Sequence, residues 1–271
     1  MGDLREIFDS MLKKLEAISN KDNFIKEINE RRARIFDKNK PNSFFYEVMV
    51  RAIFNAGMKA SIVTDKWPDI RVAFSDFDVE KVSKYSDKEI RNLMNNPKII
   101  RNQKKIRACV ENARRMKALS ERFGSFGEFL NRDKYNLFLL KHELTNNFRY
   151  LGNVLVLDYL KDIGMDIIKP DVHVMRVFFR LGLIDSEKQT EASANRIIRV
   201  AEDIKKETLE KLAVIDAVFW MYGGGGDRHV IKAICSKNEP LCSECPLTNH
   251  CRYYSTRQNV YAEDSSQPTA C

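Results

Sequence analysis

The stretch from Cys235 to Cys251 constrains the fold of this chain more than any other part of its sequence. Its four cysteines are spaced C-x6-C-x2-C-x5-C, at Cys235, Cys242, Cys245 and Cys251. Because the loops between them are short, four thiolates can close around one metal centre at little entropic cost. Structural zinc sites usually carry two short Cys or His pairs with a longer gap between them, whereas here one C-x2-C pair is flanked by single cysteines. The spacing therefore favours an iron–sulfur cluster, with a structural zinc and unliganded thiols as the alternatives.

The net charge of +8 favours a polyanionic partner, for which nucleic acid is the usual candidate. Basic runs at residues 101–105 and 114–115 add to this signal. No apolar run is long enough to span a bilayer, and the charged, amphipathic N-terminus lacks the apolar core of a signal peptide. Since four of the six cysteines lie in one cluster, a reduced compartment fits better than a disulfide framework. We therefore expect an intracellular protein of the cytoplasm or nucleoid that binds no membrane.

Short helices in series, with polar residues ahead of them, predict an all-α protein. Apolar residues recur at three- and four-residue steps from residue 4 onward, and again over residues 24–36. The next predicted helix begins at Phe44, is capped by Ser43 and ends at Gly57. Further helix caps are predicted at Asp78, at Ser86 with Glu89 as a capping box, and at Ser125.

The cysteine stretch resembles the [4Fe–4S] loop at the C-terminal end of endonuclease III and the adenine mismatch glycosylases. All three gaps between the cysteines match, and Pro246 follows the third cysteine as it does there. The resemblance implies that the four cysteines hold a [4Fe–4S] cluster. It also implies that the cluster shapes a DNA-binding loop, and a redox role is left open.

Four runs in the middle of the chain carry a second resemblance: FNAG at 54–57, FSDFDVEKV at 74–82, NPKIIRNQKKI at 96–106 and NAR at 112–114. Through these runs, residues 44–130 resemble the 3-methyladenine glycosylase I family. This family and endonuclease III share the helix–hairpin–helix glycosylase fold, so both resemblances imply the same architecture. Ala52 stands where the family has a base-reading carboxylate and Ala60 where it has a pocket tryptophan, so the familiar 3-methyladenine pocket is not expected. The family's terminal zinc ligands are absent too.

The segment from Phe148 to Gly164 resembles a helix–hairpin–helix motif. Such a hairpin presents the backbone N–H groups of a helix N-terminus to a DNA phosphate. Gly152 is the predicted turn glycine, and Tyr150 stands where the usual G-x-G motif has its first glycine. Bifunctional members of the superfamily carry a nucleophilic lysine at the position of Val154, so the resemblance implies base removal by water without strand cleavage. An ordinary helix–turn–helix joint is the alternative for this segment.

Asp171 lies in the run PDVHVMR, which resembles the D-x-H-V-x-R-V segment of endonuclease III-type enzymes. Their aspartate lies at the mouth of the base pocket, so the resemblance implies that Asp171 is catalytic. A departing base leaves an electron-poor sugar, and a nearby carboxylate stabilises the oxocarbenium character and orients or deprotonates the attacking water. A simple helix N-cap is the alternative role, and the two roles are compatible. For His173, packing or hydrogen bonding is the expected role.

We therefore predict an all-α, two-lobe helix–hairpin–helix DNA glycosylase fold with a C-terminal iron–sulfur cluster loop. Residues 41–160 are expected to form a six-helix barrel-type lobe that ends in the hairpin. Residues 1–40 are expected to pack with residues 161–254, which carry Asp171 and the cluster, and residues 255–271 to form a disordered tail. The damaged base would flip from the duplex into the cleft between the lobes.

The predicted function is that of a monofunctional DNA glycosylase acting on an alkylated purine in double-stranded DNA. The alternatives are a glycosylase for mismatched, deaminated or oxidised bases and a non-catalytic iron–sulfur DNA-binding protein. We expect a monomer. The glycine run 223–226 is expected to form a flexible joint, and it lacks the Lys-Ser/Thr of a phosphate-binding loop, so no nucleotide cofactor is expected. The predicted DNA contacts are Arg101, Lys104, Tyr150, Gly152 and Val154, and the predicted base-pocket residues are Glu47, Asn55 and Asn147.

Overall fold

The structure is a computed structural model, and it describes residues 3–134, 136–224 and 232–257. These residues form helices and connecting loops without a β-strand, which confirms the predicted all-α class. None of the helices in this part of the chain is both long and apolar enough to cross a lipid bilayer. The chain divides into two compact units, one of residues 1–34 with 166–271 and the other of residues 35–165.

The helices are numbered along the chain. Short 3-10 turns lie at Ser75–Phe77, Cys242–Glu244 and Thr248–His250. The main α-helices of the described residues are α1 (Leu4–Ile18), α2 (Lys21–Ala33), α3 (Asn42–Asn55), α4 (Ala60–Ala73), α5 (Val79–Val82), α6 (Asp87–Asn95), α7 (Gln103–Phe123), α8 (Phe126–Arg132), α9 (Leu137–Asn147), α10 (Leu155–Asp162), α11 (Val172–Arg180), α12 (Glu191–Thr208) and α13 (Leu212–Gly224).

Helix α13 forms the centre of the first unit. Nearly all of its side chains are buried, and α1, α2, α11 and α12 pack around it. Helix α1 begins where the Asp3 side chain accepts the backbone N–H groups of Arg5 (2.9 Å) and Glu6 (3.3 Å). Its apolar residues fall on one face, which is the face that packs into the core. The buried residues of α1 are Leu4, Ile7, Phe8, Met11 and Leu15.

Helices α3 and α7 form the centre of the second unit. Tyr46 of α3 is fully buried, and its hydroxyl donates to the carbonyl of Cys109 in α7 at 2.9 Å. The ring of Phe126 packs against Phe45, with 5.9 Å between centroids, and against Phe148, with 5.6 Å. Aromatic pairs of this kind bury large apolar areas and prefer particular ring angles. Phe148 therefore anchors the start of the predicted hairpin in the core of this unit.

Several predicted helix starts are confirmed. Ser86 and Glu89 form the capping box of α6. The Glu89 carboxylate accepts the backbone N–H of Ser86, and the Ser86 hydroxyl accepts a backbone N–H in the first turn of the helix. Asp78 caps α5 by accepting a backbone N–H, and Ser125 caps α8 in the same way. These starts are local features, because the capping side chain and the N–H group it accepts are at most three residues apart.

The predicted start of α3 is wrong. The helix follows Pro41 and begins at Asn42, so Ser43 is its second residue rather than its cap. The Asn42 side chain accepts the backbone N–H of Phe126 at 3.0 Å. This side chain therefore joins α3 to the start of α8, a contact across 84 residues that local patterns do not reveal.

The boundaries between the two units fall after residue 34 and after residue 165. The sequence analysis predicts them after residues 40 and 160. The first 34 residues group with the C-terminal part of the chain. At the other end, residues 252–257 are helical. Helical structure therefore extends three residues into the segment 255–271 that was expected to be disordered, and residues 258–271 lie outside the described part.

Candidate active site and cysteine loop

Asp171 is the N-cap residue of α11. Its Oδ1 accepts the backbone N–H groups of His173 (2.9 Å) and Val174 (3.0 Å), which confirms the N-cap role. Both bonds use the same oxygen, so Oδ2 makes no hydrogen bond within the described part of the chain. The half-buried carboxylate is thus held in place with one oxygen left to act on another molecule.

The segment that leads to Asp171 is tied to α13. Asp216 is buried in that helix, and its Oδ1 accepts the backbone N–H of Lys169 at 2.7 Å. The Lys169 carbonyl accepts the N–H of Asp171 at 2.8 Å. Arg31 Nη1 lies 3.8 Å from the second Asp216 oxygen and offsets its charge. A hydrogen bond to a buried carboxylate therefore fixes the backbone two residues before Asp171.

A second carboxylate ties the same segment to its neighbours. Asp166 Oδ1 accepts the backbone N–H of Ala213 at the start of α13 (3.0 Å). Its Oδ2 accepts Lys205 Nζ from α12 (2.7 Å). The chain from Asp166 to Asp171 is therefore held at both ends.

Helices α11 and α13 approach closely because α13 ends in glycine. A Cβ atom at Gly223 would lie 2.8 Å from the His173 carbonyl oxygen and 2.9 Å from a Val177 methyl carbon. Only glycine permits that approach. The His173 ring packs edge-to-face on Trp220, with 6.0 Å between centroids. The prediction of a flexible joint at 223–226 is wrong for Gly223 and Gly224, which belong to α13, and the rest of the run lies outside the described residues.

The C-terminal end of α11 holds the start of the cysteine stretch. Arg180 Nη1 donates to Cys235 Sγ (3.4 Å) and to the Ser236 carbonyl (2.7 Å), and its Nη2 donates to the Lys237 carbonyl (3.0 Å). The Tyr253 ring lies 4.3 Å from the guanidinium carbon. The buried Arg180 side chain thus fixes three consecutive residues, beginning with the first predicted ligand.

Two further cysteine sulfurs have polar neighbours. The Tyr222 hydroxyl lies 3.1 Å from Cys245 Sγ, and the backbone N–H of Tyr254 donates to Cys251 Sγ at 3.4 Å. Donors of this kind stabilise thiolate ligands and set the reduction potential of iron–sulfur sites.

The four predicted ligands form no disulfide among the described residues. Burial raises the pKa of Cys235, Cys242 and Cys251, and neighbouring cysteines add to the increase. No three Cys, His, Asp or Glu side chains of the described residues are placed to hold a single metal ion. A four-iron cluster binds each thiolate through a different iron and needs wider sulfur spacing than mononuclear zinc. Four thiolates are the donor set of a [4Fe–4S] cluster, and the cluster stays a prediction.

Tyr150 has a left-handed backbone, with φ +67°, at the centre of the predicted hairpin. This conformation favours glycine, which matches the place of Tyr150 at the first glycine of the usual motif. Gly152 is outside the left-handed region, and a Cβ atom there would meet nothing within 4 Å. The left-handed backbone conformation in this turn is therefore adopted by Tyr150 rather than by Gly152.

Helix α10, which follows this turn, has an uncapped N-terminus. Its N-cap residue is Val154, whose side chain cannot accept a hydrogen bond, and 46% of that residue is exposed. The backbone N–H groups of Asn153, Val154 and Leu155 reach no acceptor among the residues that the structure describes. Free N–H groups at a helix N-terminus suit an anion.

Arg101 and Lys104 are exposed beside the start of α7. The loop before them is fixed by Lys66, whose Nζ donates to the carbonyls of Pro97 (3.4 Å) and Lys98 (3.0 Å). The predicted DNA contacts of Arg101 and Lys104 stay predictions.

The residues suggested for base binding are largely engaged inside the protein. Glu47 accepts a hydrogen bond from Trp67 Nε1 (3.2 Å) and pairs with Arg71. The Asn147 amide donates to a carbonyl one turn earlier in α9 (2.8 Å). Asn55 is the half-buried last residue of α3. A role in base binding stays a prediction for all three.

Lys105 is a buried residue that the sequence reasoning missed. Only 4% of it is exposed, and its Nζ donates to the carbonyls of Phe54 (2.9 Å) and Ala56 (2.6 Å) at the end of α3. Burial lowers the pKa of this lysine. Lys105 lies in the NPKIIRNQKKI run, which resembles the 3-methyladenine glycosylase I family, and this position could have identified it as a candidate residue. The role of Asp216 was missed too, because its partner Lys169 is 47 residues away in the sequence.

Comparisons with known proteins agree with this architecture. The sequence model of the methyladenine glycosylase family matches residues 37–156. The 8-oxoguanine DNA glycosylase of Thermotoga maritima superposes with a TM-score of 0.53 at 16% identity, covering 79% of this chain and 96% of that chain. The 8-oxoguanine DNA glycosylase of Methanocaldococcus jannaschii gives 0.51 at 21% identity, covering 81% and 96%. The chain therefore has the fold of the helix–hairpin–helix DNA glycosylase superfamily, and its middle part matches the methyladenine glycosylase family.

Proposed function

We propose that the protein is a monofunctional DNA glycosylase of base excision repair, which removes a damaged base from duplex DNA. The observation that carries the proposal is Asp171, held as the N-cap of α11 with no hydrogen bond to Oδ2 from the residues that the structure describes, in a chain with the glycosylase fold. A carboxylate fixed by backbone N–H groups does not have to reorganise during the reaction. Electrostatic stabilisation of a developing positive charge depends on that preorganisation.

The proposed reaction breaks the bond between the base nitrogen and C1′ of the sugar. The bonding electron pair leaves with the base, and the sugar acquires oxocarbenium character. The Asp171 carboxylate stabilises this charge and takes a proton from the water whose oxygen attacks C1′. The products are a free base and an abasic site in an uncut strand.

The absence of strand cleavage is proposed from Val154. In bifunctional members that this chain resembles, the corresponding lysine is the nucleophile. Val154 has no amine with which to form a Schiff base. Water is therefore the proposed nucleophile.

Duplex DNA is the proposed partner of the hairpin. The three N–H groups at the start of α10 that have no acceptor among the described residues can donate hydrogen bonds to a phosphate, and the chain carries a net charge of +8. Contacts to phosphates position a protein on DNA without reading its sequence. The lesion must therefore be selected elsewhere.

An alkylated purine is the proposed lesion, because the methyladenine glycosylase match covers residues 37–156. One observation favours a second candidate, a glycosylase for mismatched, deaminated or oxidised bases. Ala52 is 5% exposed and stands where the methyladenine family carries its base-reading carboxylate. An alanine cannot form a hydrogen bond with the base edge.

We also propose that Cys235, Cys242, Cys245 and Cys251 hold a [4Fe–4S] cluster. When bound, the cluster would cross-link the loop, and the Arg180 guanidinium would donate a hydrogen bond to Sγ of Cys235, the first ligand. Iron and acid-labile sulfide in anaerobically purified protein test this proposal. Four iron atoms per chain support it, whereas one zinc per chain contradicts it.

The test of the function is single-turnover base release from duplex DNA. The panel holds methylated purines, 8-oxoguanine, uracil opposite guanine, thymine opposite guanine, and adenine opposite 8-oxoguanine. Each reaction is divided and developed with and without alkali, for the wild type and for Asp171→Asn. We expect release of a methylated purine, strand cutting only after alkali, and loss of release in the variant.

Each other outcome has a defined meaning. Release of 8-oxoguanine, uracil, thymine opposite guanine or adenine opposite 8-oxoguanine instead would support the second candidate. Strand cutting without alkali would show a lysine nucleophile elsewhere and contradict monofunctional chemistry. DNA binding without release of any base would favour a non-catalytic DNA-binding protein.

A further inference from the structure

The turn that holds Tyr150 is fixed from both sides. Asn112 is fully buried, and its amide oxygen accepts the backbone N–H of Arg149 (2.8 Å) while its amide nitrogen donates to the Arg149 carbonyl (2.9 Å). Phe148, which precedes Arg149, and Leu151, which follows Tyr150, are both buried, with 3% and 1% of each residue exposed. With both neighbours anchored, the backbone of Tyr150 has no freedom to leave the left-handed region.

This conformation is unfavourable for tyrosine. A left-handed backbone brings Cβ too close to the following carbonyl oxygen, and a bulky residue there is an outlier where glycine would be at ease. The chain therefore loses stability by carrying Tyr150 in place of the usual glycine.

No contact of the Tyr150 side chain within the described residues offsets this loss of stability. Tyr150 is 39% exposed, so its ring adds little to the core. Its hydroxyl makes no hydrogen bond in the described part of the chain, whereas buried Tyr46 bonds to a carbonyl. Strained residues that the surrounding structure enforces cluster at ligand-binding sites.

We propose that the Tyr150 side chain binds the DNA backbone directly, its phenol O–H donating to a phosphate oxygen beside the hairpin. This deepens the proposed function and rests on it, since duplex DNA is the partner. Tyrosine hydroxyls are among the usual donors to DNA phosphates, and the side chain projects from the turn that precedes the free N–H groups of α10. Tyr150 thus lowers the stability of the folded protein and raises its affinity for DNA.

The test measures stability and affinity on the same variants. The probe is a duplex with a tetrahydrofuran abasic-site analogue, which cannot be hydrolysed. We expect Tyr150→Gly to raise the denaturant midpoint, because strain is removed, and to weaken binding about tenfold, the loss expected for a hydrogen bond to a charged group. Tyr150→Phe should weaken binding to a similar degree and leave the midpoint unchanged.

Leu209 provides the matched control. It is also left-handed, with φ +62°, and it is 87% exposed at the end of α12. Leu209→Gly should raise the denaturant midpoint as Tyr150→Gly does and leave DNA affinity unchanged. The two glycine variants therefore separate relief of strain from loss of a DNA contact.

The possible results are decisive. If Tyr150→Gly binds the probe as tightly as the wild type, the proposed contact does not exist. If Tyr150→Phe keeps wild-type affinity, the hydroxyl donates to no phosphate. A lower midpoint in Tyr150→Gly would contradict the strain. If the wild type itself does not bind the duplex, the proposed function fails first, a result distinct from wild-type binding that Tyr150→Gly leaves unchanged.

Discussion

The Oδ1 atom of Asp216 accepts the backbone N–H of Lys169 at 2.7 Å, across 47 residues of sequence. Lys169 is two residues before Asp171, and its carbonyl bonds to the Asp171 N–H. The Asp216 carboxylate therefore helps to fix the position of the Asp171 backbone through Lys169.

Removing this acceptor is expected to slow base release more than it weakens DNA binding. Asp216→Val leaves the Lys169 N–H without its acceptor and should lower the free energy of unfolding by about 1–3 kcal/mol. A misplaced Asp171 should lower the single-turnover rate by about 10-fold or more at saturating DNA. Asp216→Asn keeps an oxygen acceptor and should restore most of the rate. Equal losses of rate in both variants would contradict a positioning role.

Asp171 has two roles that substitution can separate. Asn is as good an N-cap as Asp, so Asp171→Asn should change the free energy of unfolding by only a few tenths of a kcal/mol. The same variant lacks the negative charge and should lose about 100-fold or more in single-turnover rate with nearly unchanged DNA affinity. Asp171→Ala should lose the cap as well, at about 1 kcal/mol. A large destabilisation in Asp171→Asn, seen by urea denaturation, would show that the rate loss is structural.

The contact between Arg180 and Cys235 predicts a change in the properties of the proposed cluster. Arg180→Met removes a cation and a hydrogen bond to Sγ, both of which favour the more negative, reduced cluster. Its reduction potential should therefore fall, as measured by voltammetry, and iron should be retained less well during dialysis. Arg252→Met is the control, because Arg252 stacks on Phe179 at 4.9 Å and donates to no cysteine sulfur among the described residues. Equal shifts in both variants would assign the effect to net charge alone.

Lys105 predicts a pH-dependent difference in stability. Its folded-state pKa lies below the ordinary value of 10.5, so between these two pKa values the unfolded chain binds a proton that the folded chain does not. The stability of the wild type relative to Lys105→Met should therefore rise as the pH increases towards 10.5. At pH 7 the variant should be less stable by about 1–3 kcal/mol, because the Phe54 and Ala56 carbonyls lose their donor. Lys104→Met, at an exposed neighbour, should show neither effect in urea titrations at several pH values.

The features that could be predicted from the sequence are those whose interacting residues are only a few positions apart in the chain. The capping box of Ser86 and Glu89 spans three residues, and the Asp171 cap reaches N–H groups two and three residues away. Such interactions form wherever the local chain is helical, so pattern alone identifies them.

The features that sequence missed depend on distant partners. Asn42 bonds across 84 residues, which is why Ser43 was mistaken for the cap of α3. Glu47 looked available for a base, but Trp67 and Arg71, which are 20 and 24 residues further along the chain, occupy its carboxylate. Lys105 reads as part of a basic run, and only the folded chain shows it buried on the α3 carbonyls. In each case tertiary packing supplies the partner.

The first unit is assembled from the two ends of the chain, and this has a consequence for synthesis on the ribosome. The apolar face of α1 is covered by α12 and α13, which are made roughly 170 residues later. At roughly 5–20 residues per second, α1 waits about 10–35 s for its partners. During that time the apolar residues Leu4, Phe8 and Leu15 lack these two partners, while residues 35–165 can already fold as one continuous segment. We therefore expect chaperones to bind nascent chains at α1 until α12 and α13 have been made.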